Sequence, residues 1–131
     1  MTGLTPYLSF AGTAREALTF YQQVFGGSLV LNTLADFGRQ DGPPDAIAHG
    51  MLQGPVTLFA SDATSDEAPL RLDGVLFSLL GTAEPEVLEQ WFAALSEDGS
   101  EIDPLQQRPW GDHDGQVTDR FGIRWLIGYQ G

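Results

Sequence analysis

The chain contains one sequence pattern twice, and this internal repeat limits its possible folds more than any other feature. A short apolar run at 7–10 leads to a Gly-Thr-Ala triplet at 12–14 and then to a helical pattern. A second apolar run at 75–80 leads to the same triplet at 81–83 and to another helical pattern. Strand-like segments follow each helix, so the repeat predicts an α+β fold of two βαβββ modules.

The first predicted module covers residues 1–62. Apolar residues at i, i+3, i+4 and i+7 predict a helix that begins after Thr13, with Glu16 completing a capping box. Gly26 and Gly27 are expected to end this helix, because glycine tolerates left-handed backbone. A loop rich in Gly, Pro and Asp at 36–45 is long enough to act as a flap over a cleft. Strands are expected at 5–10, 28–34, 46–52 and 56–61.

The second predicted module, 74–131, follows a polar connection at 63–73. Pro85 suits the first turn of its helix, and Gly99 is expected to close that helix. Strands are expected at 74–80, 100–102, 115–119 and 123–129, with an irregular stretch at 104–114. Neither module can bury both a helix stripe and a sheet face alone. We therefore expect one domain, 1–131, in which the two modules pack together and a sheet curves around a small-molecule cleft.

Composition excludes several classes of function. Eighteen acidic residues stand against six arginines and no lysine, which gives a formal net charge of −12. This charge disfavours nucleic acid and anionic membranes as partners. The lack of lysine excludes Schiff-base chemistry, and the lack of cysteine excludes thiolate nucleophiles and disulfides. The chain has no membrane-span-length apolar run and no signal-peptide pattern, so a cytoplasmic location is expected.

Three blocks of the chain resemble a known family. The first runs from PYLSFAG at 6–12 to a closing VFGG, and the second runs from IAH at 47–49 to LFASD. The third and most specific block contains WGD at 110–112 and VTD at 117–119. In order and spacing they resemble PhnB-like proteins, often labelled demethylubiquinone methyltransferase-like, of the vicinal-oxygen-chelate superfamily of glyoxalases, bleomycin-resistance proteins and dioxygenases. The resemblance implies that superfamily's paired-module fold and commonly a homodimer.

Catalytic members of the superfamily hold a metal with His, Gln or Glu on the first and last strands of each module. The predicted strands at these positions carry no histidine or carboxylate, although a divalent metal needs such donors from several positions. No glycine-rich strand-to-helix turn suited to S-adenosylmethionine is visible either. Neither a metal nor another cofactor is therefore expected. The alternative is a metal-dependent lyase, isomerase or dioxygenase with unusual ligands such as His49 and Asp62.

The matched blocks carry aromatic residues that suit a cleft for a small, partly apolar molecule. The expected ligand-binding residues are Tyr7, His49, Phe59, Trp110 and Trp125. Aromatic residues also dominate protein cores, so core packing is the competing interpretation of this set. His49 could bond the ligand or act as a general base, or it could simply bond a neighbouring carbonyl. No catalytic residue is assigned.

Two further polar residues, His113 and Asp119, are expected to have structural roles in turns. His113 lies in an Asp-rich turn and is expected to be solvated there, with a place on the rim of a site or in a loop metal site as the alternatives. Asp119 is expected to bond backbone amides and shape the turn before Gly122. A further functional alternative is a resistance protein that sequesters a toxic cationic drug, because a charge of −12 attracts cations.

Overall fold

A computed structural model describes residues 3–64, 67–71 and 73–131 of the chain. The chain divides into two compact units, Met1–Leu70 and Arg71–Gly131, and this division falls within the predicted connection at 63–73. Residues 65, 66 and 72 of that connection lie outside the described part. Each unit contains one α-helix and one four-stranded sheet in the order βαβββ, so the predicted α+β fold of two repeated modules is confirmed.

The first unit contains the four predicted strands and the predicted helix. Its elements are β1 (Tyr7–Phe10), α1 (Ala14–Phe25), β2 (Ser28–Thr33), β3 (Ile47–Gln53) and β4 (Leu58–Asp62). The sheet order is β1-β4-β3-β2, with β1 parallel to β4 and the other pairs antiparallel. A short 3-10 helix, Ala35–Phe37, begins the long loop between β2 and β3.

Helix α1 covers one face of the first sheet. Leu18 and Tyr21 of the helix are fully buried. Leu8 of β1 and Leu58 of β4 expose only a few per cent of their surface. At Gly50 of β3 an added Cβ would lie 2.5 Å from Leu18 Cδ1, so glycine allows the helix to approach the strand closely. Successive strand residues alternate between faces. The neighbours of these core residues therefore lie on the sheet face opposite α1.

The predicted capping box at the start of α1 is wrong. Thr13 occupies the N-cap position, but its side chain makes no capping hydrogen bond. Asp62, at the end of β4, supplies the missing acceptor: its Oδ1 accepts from Ala14 N at 2.9 Å, and its Oδ2 accepts from Ile47 N at 2.8 Å. One distant carboxylate thus ties the start of the helix to the start of β3. At the other end Gly26, with φ of +80°, caps the helix as predicted.

The second unit repeats this arrangement. Its elements are β5 (Phe77–Leu80), α2 (Pro85–Ser96), β6 (Ser100–Gln107), β7 (His113–Thr118) and β8 (Arg124–Tyr129). The sheet order is β5-β8-β7-β6, with β5 parallel to β8. In the described residues, no helix combines the length and the apolar character needed to cross a membrane.

Strand β6 is much longer than the predicted strand at 100–102. It continues to Gln107, so the irregular stretch expected at 104–114 is only a short turn between β6 and β7. Its pairing with β7 slips between Glu101 and Asp103 and again between Asp103 and Gln106. Pro104 lies within the second slip. Because β6 is an edge strand, a proline there is tolerated at an irregularity of the ladder, and the strand continues beyond it.

Helix α2 packs on β6, β7 and β8 of its own sheet. Its buried residues Leu88, Trp91 and Leu95 supply one side of the core. The other side comes from alternate residues of β7 and β8, namely Val117, Trp125 and Ile127, together with Ile123, which directly precedes β8. Alternation along β8 therefore places Trp125 and Ile127 on the core face of the second sheet, toward α2.

Candidate functional site

Three of the predicted ligand-binding residues meet on the open face of the first sheet. Tyr7 of β1 and Phe59 of β4 are direct cross-strand partners, and His49 lies on the neighbouring strand β3. The ring centroids are 5.6 Å apart for Tyr7 and His49, 6.4 Å for Tyr7 and Phe59, and 5.7 Å for His49 and Phe59. We call these three residues the Tyr7 cluster.

A hydrogen bond fixes the histidine of the Tyr7 cluster. The hydroxyl of Tyr7 lies 2.9 Å from Nδ1 of His49, and the two rings are nearly parallel, with an interplanar angle of 20°. If the phenol donates to Nδ1, Nε2 of the imidazole carries a proton that it can donate. If Nδ1–H donates to the phenol oxygen, Nε2 accepts. In either tautomer Nε2 is the ring nitrogen left for another partner.

The Tyr7 cluster is accessible to solvent, and a polar atom without a hydrogen-bond partner among the described residues lies near it. Tyr7 is 53% exposed, although its neighbours Leu8 and Phe10 are buried against α1. Ser9 occupies the same face as Tyr7, two residues along β1, and its Oγ is buried without a hydrogen-bond partner among the described residues. Buried polar atoms normally have partners. This face therefore presents aromatic surface and the imidazole of His49, and a buried hydroxyl, Oγ of Ser9, lies on the same side of the sheet.

The loop between β2 and β3, predicted as a flap, is anchored at its base. Thr33 and Asp36 exchange hydrogen bonds, and Leu34 N donates to Ala46 O at 2.9 Å. Farther along, the guanidinium of Arg39 pairs with Asp41, and this hydrogen bond lowers the pKa of the Asp41 carboxyl. These contacts order the loop around an exposed charge pair. Its predicted role as a flap stays a prediction.

Trp110 lies at the tip of the β6–β7 hairpin in the second unit and is 69% exposed. Arg108 braces that tip, because its guanidinium pairs with Asp103 and Asp114 and these hydrogen bonds raise its pKa. Gly111 N also donates to Arg108 O at 2.9 Å. The hairpin thus presents the indole on a well-bonded turn, and the predicted contact of Trp110 with a ligand stays a prediction.

The structure corrects the assignment of Trp125 to ligand binding. Its side chain is 1% exposed, and its Nε1 donates to Oδ2 of Asp119 at 2.9 Å. The other carboxylate oxygen of Asp119 accepts from Phe121 N and Ile123 N at 2.8 and 3.1 Å. Asp119 therefore shapes the turn as predicted and also bonds the indole. Alternation along β8 places Trp125 on the sheet face that packs on α2.

His113 is also placed differently from the sequence-based prediction. It begins β7 and is only partly exposed, so it is not a solvated turn residue. Its ring stacks on that of Tyr129, with centroids 4.6 Å apart and an interplanar angle of 16°. Sequence reasoning missed Tyr129 as a partner because β7 was expected to begin only at residue 115. An earlier start would have placed the two residues opposite each other across β7 and β8.

Comparison with known proteins identifies the family. Residues 3–127 match the model of the Glyoxalase/Bleomycin resistance protein/Dioxygenase superfamily. The chain belongs to this superfamily. The fold and the superfamily that the sequence predicted are therefore confirmed.

Similar proteins match nearly the whole length of the chain. Protein YjdN of Escherichia coli strain K12 is 32% identical, over 95% of this chain and 92% of its own length. The crystal structure of protein PA1353 from Pseudomonas aeruginosa is 34% identical, with a TM-score of 0.79 and coverage of 99% and 98%. The PhnB protein from Bacillus cereus is 20% identical, with a TM-score of 0.76 and coverage of 98% and 99%, and shows the similarity of fold alone.

The two residues named above as unusual metal ligands, His49 and Asp62, do not form a metal centre together. Within residues 3–64, 67–71 and 73–131, no group of three or more His, Cys, Asp or Glu is placed to hold an ion. His49 bonds Tyr7 through Nδ1, and both carboxylate oxygens of Asp62 accept backbone N–H groups. A divalent metal needs three or four such donors in one place. The pair His49 and Asp62 does not supply them.

Proposed function

We propose that this protein binds a small, partly apolar molecule against the Tyr7 cluster. The observation that carries the proposal is the geometry of the cluster: an accessible tyrosine bonded to a histidine, with a phenylalanine at the edge of both rings. Small-molecule sites typically combine aromatic surface with a few fixed polar groups that set orientation. Here Tyr7 and Phe59 supply the apolar contact, and His49 supplies the polar group.

The hydrogen bond between Tyr7 and His49 prepares the imidazole for this role. A side chain held in one orientation loses little entropy when a ligand binds. Nε2 of His49 then bonds an oxygen or nitrogen of the ligand as donor or acceptor, according to the tautomer. The same pair can pass a proton between the ligand and the phenol, so the site also suits acid–base chemistry on a bound molecule.

We propose that this site works without a metal, and the donor set supports the proposal because His49 is the one imidazole of the first unit. Elemental analysis of protein purified without chelator tests it. We expect well under one equivalent of zinc, nickel, manganese or iron for each chain. A full equivalent that is lost in the variant His49→Gln would establish the metal-dependent alternative instead.

The binding proposal is tested by a thermal-shift screen with aromatic and amphipathic compounds, followed by calorimetric titration of the strongest hit. We expect His49→Gln to weaken that hit about tenfold, because a hydrogen bond inside an apolar site contributes about 1.4 kcal/mol. Glu97→Gln is the control, since it changes an exposed side chain that lines neither the Tyr7 cluster nor the other cavities of the second unit, and it should leave the affinity unchanged. The proposal fails if no compound raises the melting temperature, or if both variants weaken binding equally.

A further inference from the structure

A separate cavity of about 480 Å³ lies within the second unit, beside α2 and the β6–β7 hairpin. We call it the α2–β6 cavity. Its volume is in the range of small-molecule sites. It shares no residue with the Tyr7 cluster. Its lining includes Glu89, Phe92, Glu101, Leu105, His113 and Tyr129.

One wall of the α2–β6 cavity is aromatic. His113 and Tyr129 face each other across β7 and β8, and their rings are stacked. Phe92 and Leu105 add apolar surface. Nδ1 of His113 is buried and has no hydrogen-bond partner among the described residues. Such atoms are rare in folded proteins, and they occur where water, an ion or a ligand completes the bonding.

The α2–β6 cavity is lined by carboxylates and is therefore negatively charged. Glu89 comes from α2 and Glu101 from β6, and no arginine is among the described residues that line it. The hydroxyl of Tyr129 lies 3.4 Å from Oε1 of Glu89. Burial raises the pKa of Tyr129, and the carboxylates of Glu89 and Glu86 raise it further because they disfavour a second anion nearby.

We propose that the α2–β6 cavity binds a small organic cation, namely a protonated amine that carries a flat apolar group. The ammonium group lies near Glu89 and Glu101, and the apolar group packs on Phe92 and Tyr129. An aromatic ring also attracts a cation through its face. A metal ion fits less well, because no group of three or more suitable donors occurs in the described parts of the chain.

The test uses 2-phenylethylamine as the probe and 2-phenylethanol, a neutral molecule of similar shape, as its control. Amide resonances of the full-length, isotope-labelled protein are followed by NMR at low ionic strength with each compound at millimolar concentration. We expect the amine to shift resonances of residues that line the α2–β6 cavity, and the alcohol to shift them far less. Equal shifts with both compounds, no shift with the amine, or shifts confined to the Tyr7 cluster would each overturn the proposal.

Variants separate a built site from general attraction to an acidic protein. Glu89→Gln and Glu101→Gln should each weaken amine binding about twofold to threefold, the typical effect of removing one accessible charge pair. Glu16→Gln removes the same charge from an exposed position of α1 and should change the affinity little. All three positions are exposed, so the variants are expected to fold, which their amide spectra verify. Equal affinity in all three variants would contradict the proposal.

Discussion

Asp119 combines almost complete burial with hydrogen bonds to two different kinds of group. It is 3% exposed, and its carboxylate accepts from the amides of Phe121 and Ile123 and from the indole of Trp125. A buried carboxylate is stable only when its oxygens are bonded in this way. At the scale of single residues, this interaction shows why Trp125 belongs to the core: the polar edge of the indole already has its partner.

We expect Asp119→Asn to destabilise the protein by about 2 kcal/mol. The amide oxygen can still accept from Phe121 N and Ile123 N, but the NH₂ group then faces Nε1–H of Trp125, and two donors cannot bond each other. Urea unfolding followed by circular dichroism measures the loss as a lower midpoint at an unchanged slope. Asp73→Asn, at an exposed position, is the control and should change stability by less than about 0.5 kcal/mol.

The individual residues of the Tyr7 cluster were predictable to different degrees. Tyr7 and Phe59 lie on strands whose position the sequence indicated closely, so alternation places them on one face. The bond between Tyr7 and His49 joins residues 42 positions apart. No local pattern contains it, because it depends on the pairing of β1 and β3 with the intervening strand β4.

At the scale of elements, Asp62 caps the N-terminus of α1, a role that the sequence pattern assigned to Thr13. The motif Thr-x-x-Glu at the start of a helix normally indicates a capping box. Here a carboxylate from β4 occupies the N-terminus of α1 instead, where it also complements the positive end of the helix dipole. The same side chain holds the first amide of β3, so it couples three elements of the unit.

Alanine variants of Thr13 and Asp62 test which of the two side chains caps α1. Thr13→Ala should cost less than about 0.5 kcal/mol, whereas loss of a true side-chain cap costs about 1 kcal/mol. Asp62→Ala should cost about 3 kcal/mol, because two charge-assisted bonds disappear and two part-buried amides lose their acceptor. Both values come from urea unfolding. A larger loss for Thr13→Ala than for Asp62→Ala would show that the capping box forms after all.

Strand β6 shows a different limit of sequence reading. Pro104 and the polar residues around it indicate an end to the strand, yet β6 continues to Gln107. Pairing with β7 over the whole length of the hairpin outweighs the local preference, and the register slips absorb the proline. The same extension places His113 opposite Tyr129 and so forms the aromatic wall of the α2–β6 cavity.

At the scale of the whole molecule, the net charge of −12 makes the folded chain repel itself. The ion pairs of the described residues, such as Arg39 with Asp41 and Arg108 with Asp103, offset this only slightly because surface pairs contribute little. Salt screens both repulsion and attraction between charges. Because repulsion is the larger of the two at this net charge, added salt should stabilise the folded protein. The homodimer implied by the family resemblance stays a prediction.

Raising the sodium chloride concentration from 20 to roughly 150 mM at pH 7 should therefore raise the melting temperature, by about 3 °C. Differential scanning fluorimetry measures the change. Near pH 4, close to the isoelectric point of about 4.1, the net charge is almost zero and the effect of salt should nearly vanish. A melting temperature that falls with salt at pH 7 would mean that attractive ion pairs, rather than net repulsion, control the stability.

The sequence alone determined the repeated βαβββ plan, the bounds of α1 and the faces of most strands. These features follow from the spacing of apolar residues and from the positions of glycines, which are local properties of the chain. It also supplied the family through motifs that span most of the chain. Tertiary structure decided which acceptor caps α1, that Trp125 is a core residue and that His113 stacks on Tyr129. Each of these is a contact between residues on different elements, and its energy depends on strand pairing and burial that no local pattern records.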